Sequence, residues 1–471
     1  MDGLECKEMK RSELERTIRI DSEFYSKNAI QISDMLQSQN HDLLTTYVNV
    51  SDGNHMGISE HFINEGISYY RGQDAGSFFI ENSSPICIDE ITYNLPVMKR
   101  SHLKKGDVLL SIVGTIGSLS LVYSDQNATC SCKLAILRPK DVKKAALLAT
   151  FLRSKYGQVQ ISRFTRGAVQ KGLILEDMDQ LIVPVFGDRI INTIKNAVQS
   201  AYQLEEKANE CYKNAQKAFI DELGIVFSAE NNNISIEMYS NSFKRSGRID
   251  AEYYQPKYNQ LFESLEQFVC NPLGGNGGIV TIRKSIEPGS EVYQTQGIPF
   301  VRVSDISKFE MAQPELFLPS DIVEAPESLF PKKDTILFSK DGSVGIAFKV
   351  EGDIRVITSS ALLHLTVRDT KRVLPDYLTL VLNSPIVQLQ AERDANGAVI
   401  QHWKPSEIEK VVIPVLDMPI QKDISEKVQE SFVLRRKSKI LLEYVKKAIE
   451  MTIEQGEDKA IEWLKTNGRG I

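Results

Sequence analysis

A seven-residue pattern occurs twice in this chain, near the start and just past the middle. The segment RIDSEFY begins at Arg19, and RIDAEYY begins at Arg248. Five further pairs of segments follow in the same order at a nearly constant offset. Among them, GISYYRGQD at 66–74 matches GIPFVRVSD at 297–305, and RGAVQKGLILEDMDQLIVPV at 166–185 matches NGAVIQHWKPSEIEKVVIPV at 396–415. One such pair could arise by chance, but six in order indicate a tandem duplication.

Each copy predicts its own globular domain. With 471 residues, the chain is too long for one ordinary core. Short β-rich runs such as DVLLSIVG and CKLAILRP in the first copy, or DTILFS and ALLHLTV in the second, are separated by turn residues. A helical stretch, KKAALLATFLRSKYGQVQI, lies among those of the first copy. The expected fold class is α+β (mixed α/β), with two tandem β-rich domains.

A change of period follows each copy. Apolar residues recur at spacings of three and four over 188–224 and again over 420–453, which is typical of long helices with a narrow coiled-coil seam. We expect the two helices to pair antiparallel with approximate two-fold symmetry; the alternative is that each folds back on its own domain. The predicted boundaries are 1–186 and 246–416 for the β-rich domains, 187–225 and 417–466 for the long helices, and 226–245 for the linker.

Composition excludes some classes of protein. The chain is 42% hydrophobic and 25% charged, as soluble globular proteins are. No run of about 18 apolar residues predicts a membrane span, and no signal peptide is evident, so we expect a cytoplasmic protein. The six cysteines are scattered, and the close pair Cys130 and Cys132 lies in a strand-like run, which favours buried thiols over metal ligands.

The charge distribution leaves nucleic-acid binding open. The net charge is −6, whereas DNA-binding proteins usually show a basic footprint. Residues 138–172, however, contain nine Lys or Arg and one Asp, while residues 368–404 of the second copy contain five basic and four acidic residues. The first copy therefore predicts a local basic surface, and the second does not.

Sequence motifs of catalysis are missing. The chain has no P-loop, no G-x-G-x-x-G in a strand-to-helix setting, no H-E-x-x-H and no G-x-S-x-G. The GGNGG segment at 274–278 lacks the P-loop lysine and predicts a flexible turn, and His55 and His61 lack metal-ligand spacing. We expect neither catalytic nor metal-ligating residues, and a binding module rather than an enzyme.

Together, these patterns carry a family resemblance. The twice-occurring R-I-D-x-E-[FY]-Y and G-I-x-[YF]-x-R-x-x-D, the G-[TS]-[IV]-G turns and the G-A-V segments that lead to a long helix resemble the specificity subunits of type I restriction-modification systems. The resemblance implies two target recognition domains that read a split, double-stranded DNA site, with the helices as a spacer. It also implies a non-catalytic subunit that docks two DNA methyltransferase subunits and, where present, restriction subunits. S-adenosylmethionine, and ATP with Mg, would then bind the partners and not this chain.

Candidate DNA contacts are basic or amide side chains near turns, because phosphates need Lys or Arg and base edges need bidentate Arg, Asn or Gln. In the first copy these are Arg71, Gln73, Lys99, Arg100, Lys104, Lys133, Arg163, Arg166 and Lys171. In the second copy they are Arg302, Lys332, Lys333, Lys340, Arg393, Asn396, Gln401, His402 and Lys404.

Some of these residues, and others in the repeated motifs, have alternative interpretations. The basic cluster around Lys99 to Lys105 would also suit a solvated loop, and Trp403 suits the domain core better than a DNA contact. The glycines at 114, 117, 342 and 345 predict tight turns. The Arg and Asp of each R-I-D motif are expected to join the domain to a helix or a partner.

Three other functions remain possible. One is a specificity protein of another phage-defence system, a second is a coiled-coil interaction scaffold, and the third is an unrecognised enzyme. The weak basic charge of the second copy also predicts that partner subunits supply much of the non-specific DNA affinity.

Overall fold

The computed structural model describes residues 8, 10, 19–167, 171–225, 234–240, 242–397 and 400–468. The chain divides into two compact units, the first made of residues 1–206 and 435–471 and the second of residues 207–434. Each unit contains one copy of the repeat, and the division falls inside both long helices.

The strands of the first unit form two larger sheets and a two-stranded ribbon. The larger sheets have the strand orders β2-β9-β6-β7, which is antiparallel throughout, and β3-β5-β4-β8, in which β4 and β8 are parallel. The ribbon pairs β1 with β10. The strands are β1 (His41–Leu43), β2 (Val48–Asp52), β3 (Phe62–Ile63), β4 (Ile67–Tyr70), β5 (Ile86–Ile88), β6 (Val108–Ser111), β7 (Leu119–Leu121), β8 (Ala128–Cys130), β9 (Leu134–Pro139) and β10 (Ile182–Pro184).

The first unit's short helices are α1 (Lys27–Gln37), α2 (Leu44–Tyr47), α3 (Glu90–Tyr93), α4 (Ala145–Arg153) and α5 (Lys155–Phe164). The pair α4 and α5 shares a hydrophobic core with the β2-β9-β6-β7 sheet. Ser154 separates the two helices and caps α5 by accepting a hydrogen bond from the Gly157 amide. A Cβ at Gly157 would lie 2.5 Å from the Cα of Leu152, so the close approach of α4 and α5 requires glycine at this position.

After the long helix α6 (Asp188–Leu223), the second unit repeats the four-stranded antiparallel sheet, while its other sheet has three strands and it has a second ribbon. Its sheets have the orders β12-β19-β15-β17 and β14-β13-β18, with ribbons β11-β21 and β16-β20. The strands are β11 (Cys270–Pro272), β12 (Val280–Lys284), β13 (Ile298–Val301), β14 (Leu316–Leu318), β15 (Ile336–Ser339), β16 (Asp341–Gly342), β17 (Ala347–Lys349), β18 (Ile357–Thr358), β19 (Leu362–Val367), β20 (Gln401–His402) and β21 (Val412–Pro414). The helices are α7 (Phe243–Ser246), α8 (Pro256–Leu265), α9 (Pro375–Leu382), α10 (Pro385–Asp394) and α11 (Pro405–Ile408).

The last elements are α12 (Met418–Gln455) and α13 (Glu457–Gly468). Gly456 between them has φ +92°, a left-handed conformation that ends α12. Small residues lie where α6 and α12 meet. In the first unit the buried Ser438 hydroxyl donates to the Ala201 carbonyl oxygen at 2.9 Å, and in the second the Ser431 hydroxyl donates to Ala208 at 2.7 Å.

Several local predictions are confirmed. The mixed helix-and-strand fold is present in both units. Trp403 is buried in the core of the second unit, and the glycines at 114, 117, 342 and 345 have positive φ. Cys130 is fully buried while Cys132 is half-buried, and both are free thiols. Within the described residues, every helix is too short or too polar to cross a membrane.

Candidate nucleic-acid interface

One edge of the first unit's antiparallel sheet collects most of the first copy's candidate DNA contacts. Because Ser111 pairs with Leu134 and Asp52 pairs with Ala135, the end of β6, the start of β9 and the end of β2 lie at this edge. We name this edge, with the turns at 71–74, 111–118 and 131–134 and with residues 166–167 and 171–172, the first loop edge. The opposite edge holds the start of β6 and the end of β9.

The turn at 111–118 is a rigid glycine turn. The chain reverses direction in this turn, and the Gly117 amide closes it by donating a hydrogen bond to the carbonyl oxygen of Ser111 at 3.1 Å. The Gln158 amide nitrogen of α5 donates to Gly117 at 3.0 Å and to Leu152 at 2.8 Å. One side chain therefore binds both the glycine turn and the end of α4.

A hairpin after α5 lies beside the glycine turn. Arg166 and Gly172 exchange both backbone hydrogen bonds, at 2.8 and 2.7 Å, and the Leu173 amide donates to Ile112 at 2.9 Å. Val113 and Gly172 also form a bridge. Ala168 and Val169, most of the repeated G-A-V segment, lie outside the described residues. The hairpin and the glycine turn thus form one continuous surface.

The turn at 71–74 joins the same surface. The Thr115 hydroxyl donates to the Gly72 carbonyl oxygen at 2.9 Å, which places the neighbouring Arg71 and Gln73 there. Lys133 is exposed at the start of β9, and Arg100 forms an ion pair with Asp52 at the end of β2.

The loop edge therefore brings together a subset of the first copy's predicted contacts. These are Arg71, Gln73, Arg100, Lys133, Arg166 and Lys171.

Four of these cations have acidic partners, one of them being Arg100 with Asp52. Arg71 lies 3.4 Å from Asp74, Lys171 lies 3.2 Å from Glu23, and Arg166 forms an ion pair with the buried Asp177. Burial raises the pKa of Asp177 above its ordinary value, although Arg166 acts to lower it. Lys133 is the remaining cation of this set, and its side chain is exposed.

Three first-copy candidates lie elsewhere. Lys104 is exposed just before β6, at the opposite edge of the sheet, and Lys99 is exposed in the turn helix at 96–101. Arg163 is buried. Its guanidinium donates to the Phe24 carbonyl oxygen at 3.0 Å and to the Ser33 hydroxyl at 3.2 Å, and it lies 4.2 Å from the centre of the Phe24 ring. This burial argues against a direct phosphate contact for Arg163.

The R-I-D motif binds the backbone at the end of the helix that carries Arg163. Arg19 donates to both oxygens of Asp21 at 2.8 Å and to the carbonyl oxygens of Arg163 and Thr165 at 3.2 and 3.1 Å. These carbonyls belong to the C-terminal end of α5, where the hairpin begins. The motif therefore joins the short helix α5 of its own unit, and these contacts fasten the base of the hairpin. A contact of the motif with a partner stays a prediction.

The second unit repeats this clamp. Arg248 forms an ion pair with Asp250 and donates to the carbonyl oxygens of Arg393 and Asp394, both at 3.4 Å. Arg393 pairs with Asp394 and lies 5.1 Å from the centre of the Tyr253 ring. Arg393 therefore also lies at the base of its hairpin and not on the loop edge.

The second loop edge comprises the turns at 302–305, 339–345 and 359–362, together with residues 396–397 and 400–404. Its glycine turn closes through the Gly345 amide, which donates to Ser339 at 2.9 Å, and Gln388 donates to Gly345 at 2.8 Å. The Asn396 and His402 backbones exchange hydrogen bonds at 2.9 and 2.7 Å. The same framework thus recurs with different side chains.

Of the second copy's predicted contacts, this edge collects Arg302, Lys340, Asn396, Gln401, His402 and Lys404. Lys332 and Lys333 are exposed before β15, at the opposite edge of the sheet, where Lys332 lies 3.7 Å from Asp353.

Lys340, Asp341 and His402 form a polar trio at the second loop edge. Lys340 forms an ion pair with one oxygen of Asp341, and the Nδ1 of His402 lies 2.8 Å from the other. Burial acts to raise the pKa of Asp341, but the hydrogen bonds from Lys340 and His402 outweigh it, so this pKa lies below its ordinary value. The carboxylate is therefore ionised at neutral pH.

Sequence reasoning missed Lys284. It ends β12, pairs with Leu363 and is exposed at the second loop edge, in the place that Asp52 occupies in the first unit. The signal was available, because the repeat aligns β12 with β2.

Within the described residues, no group of three or more His, Cys, Asp or Glu side chains is arranged to hold a metal ion.

No protein-family model matches the chain. Among curated proteins, the type I restriction enzyme EcoBI specificity subunit of Escherichia coli is 26% identical over 146 residues. The chain is similar to type I specificity subunits. That match covers 28% of this chain and 31% of the length of the curated relative.

Solved structures of S subunits also align with the chain. The S subunit of the type I restriction-modification system from M. genitalium is 14% identical, with coverage of 90% of this chain and 95% of that one, at a TM-score of 0.35. The HsdS subunit from Thermoanaerobacter tengcongensis is 15% identical, with coverage of 92% and 96%, at a TM-score of 0.28.

Proposed function

We propose that the chain is a non-catalytic DNA specificity subunit that recognises a split duplex site. The observation that carries the proposal is that each unit has a loop edge built on a similar framework. Each unit has a four-stranded antiparallel sheet of corresponding strand order, a glycine turn and a clamped hairpin, yet the exposed side chains differ. A constant framework with variable polar contacts is suited to reading two different half-sites, because base edges are distinguished by the donors and acceptors that meet them.

The interface proposed for the first unit contains Arg71, Gln73, Lys133, Arg166 and Lys171, and that for the second contains Lys284, Arg302, Asn396, Gln401 and His402. Lysine and arginine would position the duplex through phosphates, and Gln73, Asn396 and Gln401 would reach base edges. Arg163 and Arg393 are omitted because they lie at the hairpin bases.

The long helices are proposed to pair as an antiparallel coiled coil that sets the spacing of the half-sites. The contact of Ser438 with Ala201 and that of Ser431 with Ala208 support this pairing, since residue numbers rise along α6 as they fall along α12. Approximate two-fold symmetry would follow.

Methyltransferase subunits are the proposed partners, with restriction subunits in systems that cleave. Adenine methylation would then use S-adenosylmethionine held by the partners, and cleavage would use their ATP with Mg. The net charge of −6 supports a division of labour in which those partners supply much of the non-specific DNA affinity.

The test is a base-resolution map of adenine methylation in the source organism, with the gene intact, deleted and restored. We expect one split, asymmetric motif to disappear on deletion and return on restoration. A map that is identical in all three strains would contradict the proposal and favour a coiled-coil interaction scaffold.

A further inference from the structure

The polar trio is confined to one of the two units. Asp341 pairs in register with His402 in β16 and β20, and the corresponding bridge in the first unit joins Val113 to Gly172. The first unit therefore has an apolar side chain and a glycine where the second has a carboxylate and an imidazole. Any contact made by His402 belongs to one half-site alone.

The trio fixes the direction of the hydrogen bonds of His402. An ionised carboxylate only accepts hydrogen bonds. Asp341 also accepts a hydrogen bond from the Lys340 ammonium. The Nδ1 of His402, 2.8 Å from Asp341, must therefore carry the hydrogen. In the neutral imidazole the other nitrogen, Nε2, is then an acceptor. The His402 side chain is 62% exposed.

We propose that His402 reads one base of the second half-site through Nε2 and selects a base with an exocyclic amino group in the major groove. This inference rests on the proposed function. In the major groove only adenine N6 and cytosine N4 offer amino donors, whereas guanine and thymine offer acceptors at the equivalent positions. An acceptor held by Asp341 favours adenine or cytosine and disfavours the other two bases.

The contacts around Asp341 hold the His402 imidazole in one orientation. Lys340 is tied to the fold because its amide donates to Ala361 at 2.9 Å and its carbonyl oxygen accepts from the Trp403 amide at 2.7 Å. Trp403 is itself buried. The imidazole therefore projects from a fixed backbone and cannot exchange its ring nitrogens without losing the bond to Asp341.

The experiment maps adenine methylation genome-wide in the source organism carrying His402→Ala, Asp341→Asn or neither. With His402→Ala, one position of one half-site that requires adenine or cytosine should lose about tenfold of its preference, while the other half-site stays intact. Asp341→Asn should weaken the same position less, because the tautomer is no longer fixed. His61→Ala, which removes a half-exposed histidine 3.5 Å from Asp89 in the first unit, should leave the motif unchanged.

The contradicting outcomes are distinct. An unchanged motif with His402→Ala overturns the inference and leaves the proposed function standing. Relaxation at a position that requires guanine would mean that Nε2 carries a proton, and this also overturns it. Lower methylation at every site with an unaltered motif would indicate a folding defect, and it overturns the inference if Asp341→Asn leaves the motif unaltered as well. If no motif depends on the chain, the proposed function fails and the inference with it.

Discussion

Arg19 stabilises the first unit by joining its N-terminal motif to the end of α5. We expect Arg19→Ala to lower the free energy of unfolding by about 2 kcal/mol at pH 7, because charge-assisted hydrogen bonds to Asp21 and two carbonyl oxygens are lost. The Arg19 hydrogen bond holds the pKa of Asp21 below 3.8. A lowered pKa contributes stability above 3.8 that is lost as the pH falls through the folded-state value. Denaturant unfolding should therefore show a smaller mutant effect below pH 3.8.

A surface ion pair provides the control for Arg19. Arg189 and Asp458 lie 2.7 Å apart with both side chains largely exposed, so Arg189→Ala should change the unfolding free energy by less than about 0.5 kcal/mol. Equal losses from Arg19→Ala and Arg189→Ala would refute a special role for the clamp.

Arg163 should behave as a structural residue. Arg163→Ala removes hydrogen bonds to the Phe24 carbonyl oxygen and the Ser33 hydroxyl, and we expect a loss of about 3 kcal/mol in unfolding free energy. Any loss of DNA binding should follow the unfolded fraction in a parallel denaturation series. A fully folded Arg163→Ala protein with weakened DNA binding would show instead that Arg163 touches DNA.

At the scale of elements, the two edges of one sheet should differ in function. Lys133 lies at the first loop edge and Lys104 at the opposite edge, and both are exposed. We expect Lys133→Ala to reduce the slope of log affinity against log salt by about 1 in the DNA-binding assembly purified through this chain, as loss of one phosphate contact requires. Lys104→Ala should leave the slope unaltered; the reverse pattern would place the interface on the other edge.

The contact between α6 and α12 depends on small side chains. Ser438→Leu should lower the unfolding free energy by about 2 kcal/mol, because a larger side chain is forced against Ala201 and a buried hydrogen bond is lost. Ile440→Leu, at a position 38% exposed, should fall within about 0.5 kcal/mol of wild type. Thermal unfolding of both variants measures this difference, and a stable Ser438→Leu protein would exclude close packing there.

The sequence predicted elements better than contacts between them. Apolar runs and periodicity predicted the β-rich copies and the long helices, since those signals are local. The pairing of the hairpin with the glycine turn was not predictable, because Ile112 and Leu173 are distant in sequence. Arg163 was misplaced as a surface cation, although its spacing from Tyr156 and Gln160 puts it on the buried face of α5. Charge alone gave no warning of that burial.

At the scale of the whole molecule, duplication separates framework from specificity. Both copies keep the R-I-D clamp, the glycine turn and the glutamine that binds it, whereas Lys133 is replaced by Ala361 and Gly172 by His402. Substitutions confined to one loop edge should therefore change one half-site and leave the other intact.

The most direct test is a base-resolution methylation map from the source organism carrying Gln73→Ala with Lys133→Ala in one strain and Gln401→Ala in another. We expect each strain to relax a different half of one split motif, with the remaining half and the spacer length unchanged. Relaxation of the same half in both strains, or of both halves in each, would contradict the assignment of one half-site to each unit.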